Sequence, residues 1–287
     1  MSSVAFAPLT PLKYALKFAL IPFLCDVWTQ ICDRFKIKST GIRWRLSSFI
    51  ELRRAFFAHL WRVFGRGSDQ HIQNYKQALL SPAQGVVLDL GAGLGRTASY
   101  LSRDKVFCYI AVEPNIHMHS ELRDAAHEAG FHESDGTFVL LSCGAEDVRV
   151  ISECASTVNT PTNTQGSVDS IICILTLCSI PNAEGIVTQL VKEVLRPGGT
   201  LFMFEHVRHP IINVAWWQWL WSPLWSVFFD GCRLDCVTDQ WVEEMRDIEE
   251  SGRNIAMWKE RELKSDKGDG WENNIIYHVI GTFVKHD

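Results

Sequence analysis

Apolar positions early in the chain recur at helical spacing. Leu12, Leu16, Leu20, Leu24, Trp28 and Ile31 fall three or four residues apart and predict one amphipathic helix. The stretch "IRWRLSSFIELRRAFFAHLWRVF" interleaves Trp44, Phe49, Phe56, Phe57 and Trp61 with Arg43, Arg45, Arg53, Arg54 and Arg62, which predicts a second. Residues 67–81 read as a connection and a short helix. From residue 85 the pattern changes to short apolar runs separated by amphipathic segments. Strands are expected over 86–90, 107–114, 168–180 and 200–207, and 137–147 reads as a strand and its exit loop. Helices are expected opening at Arg96–Leu101 and over 116–129 and 183–195, the last stopped by "RPGG". Strand–helix alternation of this kind predicts an α/β fold, a doubly wound and mostly parallel sheet. Residues 254–263 and 274–286 read as two closing strands, an antiparallel edge hairpin. The expected division is an N-terminal helical extension over 1–80 and an α/β domain over 81–287. A Trp-rich insertion over 208–232 is too long for an ordinary connection.

Charge sharpens this division. The chain of 287 residues carries a net −5, yet residues 1–66 hold 11 Lys/Arg against 3 Asp/Glu, leaving −13 for the remainder. The net −5 argues against nucleic acid as the main partner, and the asymmetry suits a basic surface that faces an anionic membrane or a partner, or docks on the acidic body. The N-terminal segment is not expected to span a bilayer. Its charge-free run from Phe18 to Cys25 is far short of the ~20 apolar residues required. It suits a helix lying in a membrane interface, or one capping an active site. The nine cysteines form no CxxC, and no local Cys/His spacing suits zinc, so no metal is expected. Several sit in apolar runs, Cys173 and Cys178 among them, which favours a reducing compartment. Residues 152–167, "SECASTVNTPTNTQGS", read as a polar loop.

Candidate chemistry begins at "VVLDLGAGLGRTASYL". After a strand, Gly91, Gly93 and Gly95 let backbone N–H groups approach a ligand closely. Twenty-two residues past Gly91, Glu113 ends the next strand, where a carboxylate can accept hydrogen bonds from both hydroxyls of a ribose. Gly144-Ala145-Glu146-Asp147 follows the third strand and suits an adenine edge. Leu175 to Ser179 follow the fourth, where a reactive group would lie.

Together, "VLDLGAGLGR", "AVEPN", "GAEDV", "GSVDSIICILTLCSI", "VLRPGGTLFMFEHV" and "FFDGC" resemble a class I S-adenosylmethionine-dependent methyltransferase. More narrowly they resemble the membrane-associated alkyl-thiol methyltransferases of the methyltransferase-like protein 7 type. The resemblance covers about residues 85–235. It implies a Rossmann-like seven-stranded sheet and S-adenosyl-L-methionine as cofactor. It puts Gly91, Ala92, Gly93 and Gly95 against the methionine moiety and Glu113, followed by Pro114, on the ribose. Asp89 would orient the loop, Ala145, Glu146 and Asp147 would lie near adenine, and Leu175 and Thr176 would lie along the reactive end. It implies a small apolar acceptor, a thiol by preference, and a place on the cytoplasmic side, peripheral on endoplasmic reticulum or lipid droplets. Residues 42–66, 152–167 and 265–270 depart from the family pattern.

Methyl transfer from a sulfonium is an in-line displacement that rests on proximity and alignment. A thiol acceptor must lose a proton. His206, closing the fifth strand, is the candidate base, and Asp230 a second polar group of the pocket; a packed histidine and a turn acid are the alternatives. The cluster of Trp216, Trp217, Trp219, Trp221 and Trp225 suits a lid over the acceptor, core packing or a membrane-facing surface. The same cofactor motifs would serve an O- or C-methyltransferase of a secondary-metabolite pathway, or a cyclase. A membrane-associated binding protein without catalysis is the remaining alternative.

Overall fold

The structure, a computed structural model, describes residues 46–158, 168–248, 252–268 and 270–287. The helix expected around residues 12–31, the positions Arg43, Trp44 and Arg45, and residues 159–167 of the polar segment lie outside the described residues.

Seven strands form one sheet in the order β3-β2-β1-β4-β5-β9-β8. They are β1 (Gly85–Leu90), β2 (Val106–Val112), β3 (Phe138–Leu141), β4 (Val168–Ile174), β5 (Leu195–Val207), β8 (Trp258–Ser265) and β9 (Tyr277–Lys285). The first five are parallel neighbours; β9 runs antiparallel to β5, and β8 antiparallel to β9. This is the Rossmann-like α/β fold with its antiparallel edge hairpin. Two further short strands, β6 (Arg246–Ile248) and β7 (Asn254–Ala256), pair separately.

Strand β1 shows why the fold forms. Val86, Leu88 and Leu90 point into one apolar layer and Val87 into the other. A strand covered on both faces must be apolar almost throughout, and β1 is buried at all six positions. Helices α3 (Val148–Thr157) and α4 (Ala183–Glu193) pack on the first face. The C-terminal end of α1 (Leu46–Leu80) and α2 (His119–Glu128) pack on the second. Because β1 neighbours both β2 and β4, the order reverses there, and the carboxyl ends of β1 and β4 open a crevice suited to a ligand.

Several local expectations are revised. The expected connection and short helix over 67–81 are the last turns of one 35-residue helix, α1. Gly65 and Gly67 each cost about 1 kcal/mol in a helix. Burial of Phe56, Leu60, Ile72, Leu79 and Leu80 on either side of them outweighs that. The helix expected to open at Arg96 is only a 3₁₀ turn, Ala98–Tyr100, because ten residues separate Gly95 from Val106. Residues 152–157 belong to helix α3 rather than to a loop. Strand β5 starts at Leu195, so "RPGG" lies inside it, at a register shift.

The Trp-rich insertion is helix α5 (Ile212–Phe228), apolar on its buried side at Val214 and Trp225 as well as on its exposed side. Gln218 and Ser222 face inward. The Gln218 amide donates to the carbonyls of Val207 and Ile275 and accepts from His209 N–H at 2.7–3.0 Å. Ser222 binds Asp235 and Leu234 N–H. Ile212, Trp216, Trp219, Leu220, Leu224 and Val227 face outward. A short helix, α6 (Thr238–Glu243), follows. No helix among the described residues is long and apolar enough to cross a membrane.

Candidate active site

The glycine loop leaves β1 at the reversal of strand order. At Gly91, φ is +65°, and a Cβ would collide with the Thr176 hydroxyl, so this glycine lets the ends of β1 and β4 touch. Ala92 N–H donates to Val112 O at 3.1 Å, tying the loop to β2. Gly93 N–H donates to Glu113 Oε2 at 2.8 Å, and Asn115 N–H donates to Glu113 Oε1 at 2.7 Å. Gly95 serves packing instead: a Cβ there would lie 2.9 Å from the Leu122 carbonyl oxygen of α2.

Burial raises the carboxyl of Glu113 to about 7, against the two N–H donors that lower it, with the charges of Asp230 and Asp89 adding to the rise. Burial likewise pushes Asp89 up to about 6. Asp89 accepts from the Tyr109 hydroxyl at 2.7 Å and bonds the Thr97 side chain, so it braces the loop from beneath. Tyr109, Asn115 and Thr97 had no sequence signal beyond being polar groups near strand ends.

Helix α1 roofs the loop. The Trp61 indole lies 3.3 Å from where a Cβ of Gly93 would stand. Arg62 donates to Glu121 at 2.6 Å and to His117 O at 3.0 Å. The Asn115 amide donates to Arg54 O at 2.9 Å, and Arg53 pairs with Asp230 at 3.0 Å. Asp230 itself sits at φ +47°, just past α5. A cavity of about 370 Å³ beside Arg208, His209, Asp239 and Tyr277 lies past the end of β5 rather than at the roofed glycine loop.

The remaining sequence candidates divide. Leu175, at φ +55°, donates its N–H to Phe204 O at 2.8 Å. Thr176 and Leu177 N–H both donate to Glu205 Oε1, at 2.9 and 3.0 Å. Ala145 is buried, while Glu146 and Asp147 stand exposed on the loop after β3, and Pro114 is half-buried. Asp147 occupies the N-cap position of α3 without a side-chain capping bond.

His206 is buried, and its Nε2 lies 3.1 Å from Cys232 Sγ, which lies 3.3 Å from Cys178 Sγ. Burial would depress His206, but Cys178 and Glu205 hold it above its ordinary value. The hydrogen bond to Cys232, with burial, keeps the Cys178 thiol well above its usual range. Sequence spacing hid this cluster, since 28 and 26 residues separate its members.

These residues fit S-adenosylmethionine. The loop brings the Gly93 backbone N–H and the buried Glu113 carboxylate at the β2 end together at 2.8 Å, and both sit at the switch point. The fold and site thus define a cofactor-binding α/β enzyme. A family model described as a methyltransferase domain matches residues 64–266, so the chain belongs to that family and is an S-adenosylmethionine-dependent methyltransferase. It is 30% identical over 208 residues to human Thiol S-methyltransferase TMT1B, covering 69% of this chain and 75% of that one. It is 41% identical over 73 residues to human Thiol S-methyltransferase TMT1A, covering 24% and 28%. The fold is shared with an O-methyltransferase family protein from Burkholderia thailandensis (TM-score 0.54, 11% identity, 93% of this chain and 72% of that one).

Proposed function

We propose that the protein methylates the sulfur of a small apolar thiol. The observation that carries this reading is the 30% identity to a thiol S-methyltransferase over 208 residues. When bound, the cofactor supplies an electrophilic methyl group on a sulfonium. Gly91, Ala92 and Gly93 hold its methionine end with backbone groups, and Asp89 braces that loop. Glu113, beside Pro114, takes the ribose hydroxyls in exchange for its present N–H partners. Ala145, Glu146 and Asp147 border the adenine, and Leu175 and Thr176 the reactive end. Gly95 keeps α2 close enough to shape the loop. His206 serves the acceptor by favouring its sulfur as an anion, and Asp230, held by Arg53, is a second polar group on that side. Residues 1–80 act as a helical extension covering the site of the 81–287 domain, with 208–232 as its lid. The enzyme works peripherally on the cytoplasmic face of endoplasmic reticulum or lipid droplets, where apolar thiols concentrate. The exposed apolar side chains of α5, Trp216 and Trp219 among them, support this placement.

Calorimetry with S-adenosylhomocysteine and mass-spectrometric screening of acceptors test the reading. Gly93→Arg drives a long cationic side chain against the Trp61 indole and abolishes binding, whereas Glu113→Ala weakens it at least tenfold, about 1.4 kcal/mol. Thiols gain one methyl group and phenols do not. Methylation of phenols alone overturns the thiol assignment, and absence of cofactor binding to folded protein overturns the whole reading.

A further inference from the structure

Two buried thiols and a buried imidazole converge from three separate elements. Cys178 follows β4, His206 closes β5 and Cys232 follows α5. Their ligand atoms all lie within 4.8 Å of one another. The cluster is a poor hydrogen-bond network. A thiol is a weak donor, and His206 Nδ1 is buried without a hydrogen-bond partner among the described residues. It is a good ligand set. Around one tetrahedral cation at ~2.3 Å from sulfur and ~2.0 Å from nitrogen, ligand atoms stand roughly 3.4–3.8 Å apart. The observed 3.1 and 3.3 Å need only a slight opening.

We propose that Cys178, His206 and Cys232 bind a thiophilic divalent cation, Zn²⁺ in type, whose fourth position receives the sulfur of the acceptor thiol. Three protein ligands leave one coordination position for water or substrate, and a Cys₂His set selects a soft or borderline metal over Mg²⁺ or Ca²⁺. The location suits an acceptor. Cys178 lies two residues past Thr176, whose hydroxyl touches Gly91 of the cofactor loop. Cys232 is only half-buried and lies two residues past the half-buried Asp230, so the cluster approaches the surface on that side. As the metal–sulfur bond forms, the S–H bond breaks and its proton leaves to solvent, so the acceptor is held as a thiolate without a free base. His206 then acts as a ligand. This rests on the thiol reading above.

The test uses full-length protein grown with zinc and purified under reductant without chelator. Elemental analysis should find about one zinc per chain. Cys178→Ser and Cys232→Ser should each lose at least nine-tenths of it while still binding S-adenosylhomocysteine, and a Cys154→Ser control should keep it. Should those variants fail to fold, Co²⁺ loaded into the wild-type protein supplies a second readout. Thiolate-to-cobalt charge-transfer bands should appear, and butanethiol, but not butanol, should shift the cobalt spectrum. Metal-free protein that is reduced and still binds S-adenosylhomocysteine overturns the site. A Cys178–Cys232 disulfide in peptide maps of protein purified without reductant, together with no metal uptake after reduction, does so as well. A cobalt spectrum indifferent to butanethiol overturns the acceptor role. If zinc is bound but only phenols are methylated, the thiol reading fails while the metal site stands.

Discussion

Glu113 concentrates the residue-scale logic of the site. A buried carboxylate here is tolerated because Gly93 and Asn115 each give it an N–H. Burial still raises it from 4.5 to about 7, so the folded chain holds its proton where the unfolded chain releases it. The stabilising contribution is therefore full below about 4.5 and disappears as pH rises through 7, a change on the order of 3 kcal/mol. Asp89, raised to about 6, adds in the same direction. Urea denaturation of the cofactor-free protein across pH 4.5 to 8 should show this fall. Glu113→Gln should flatten the Glu113 part while costing about 1 kcal/mol at the acid end, because its amide now faces an N–H donor. A slope unchanged by the substitution would contradict the assignment. Glu113 was legible in the sequence because the distance from the glycine loop to the end of the next strand is short and regular. Tyr109, Trp61 and the Cys178–His206–Cys232 cluster were not. Their partners lie 20 to 54 residues away and meet only through sheet order and the docking of helices.

At the scale of elements, the parallel strands could be read directly, since a twice-covered strand leaves a continuous apolar run, but the run expected over 168–180 ends as a strand at Ile174, and the one expected over 254–263 divides between β7 and the hairpin strand β8. Helix α1 was harder, because Gly65 and Gly67 look like a break and propensity alone favours one. What overrides them is anchorage at both ends. Upstream, Phe56 and Leu60 pack with Trp225 and Phe229, which stack at 3.9 Å. Downstream, Ile72, Leu79 and Leu80 enter the sheet core. The short turn after Gly95 was misjudged for the converse reason: its residues suit a helix, but too few separate β1 from β2. The two glycines of α1 now make different demands. A Cβ at Gly65 would press on the Trp61 indole at 3.2 Å, whereas at Gly67 it would meet nothing within 4 Å. Gly67→Ala should therefore stabilise the fold by roughly 0.5–1 kcal/mol, seen as a higher Tm. Gly65→Ala should gain less or lose stability, since Trp61 must shift off the glycine loop. Equal gains at both positions would show that the Trp61 contact places no constraint on the helix.

For the whole molecule, a helix with an exposed apolar face stands alongside a basic N-terminal quarter. Helix α5 hides Gln218 and Ser222 and exposes Trp216, Trp219, Leu220 and Leu224. Val214 and Trp225 are buried as in any packed helix, but a surface helix normally keeps large apolar side chains off its solvent face. Exposed indoles beside aliphatic side chains suit the boundary between headgroups and acyl chains. Residues 1–66 carry a local +8. Basic residues near an anionic leaflet contribute about 1 kcal/mol each, and salt weakens them. On the proposed membrane placement, apolar insertion and charge attraction would act through different parts of the chain and can be separated experimentally. Flotation of full-length protein with phosphatidylserine-containing vesicles should show binding that falls as salt rises. Replacing Trp216 and Trp219 together with Ser should weaken binding at least tenfold, about 1.4 kcal/mol. It should leave the salt slope and S-adenosylhomocysteine affinity unchanged, because both indoles are exposed on the outer side of α5. Charge reversal within residues 1–66 should instead change the slope. If the double Trp variant floats as well as the wild type, the outward face of α5 does not touch lipid. If the full-length chain stays in the aqueous fraction at low salt, membrane contact fails altogether, and the exposed tryptophans need a partner of another kind.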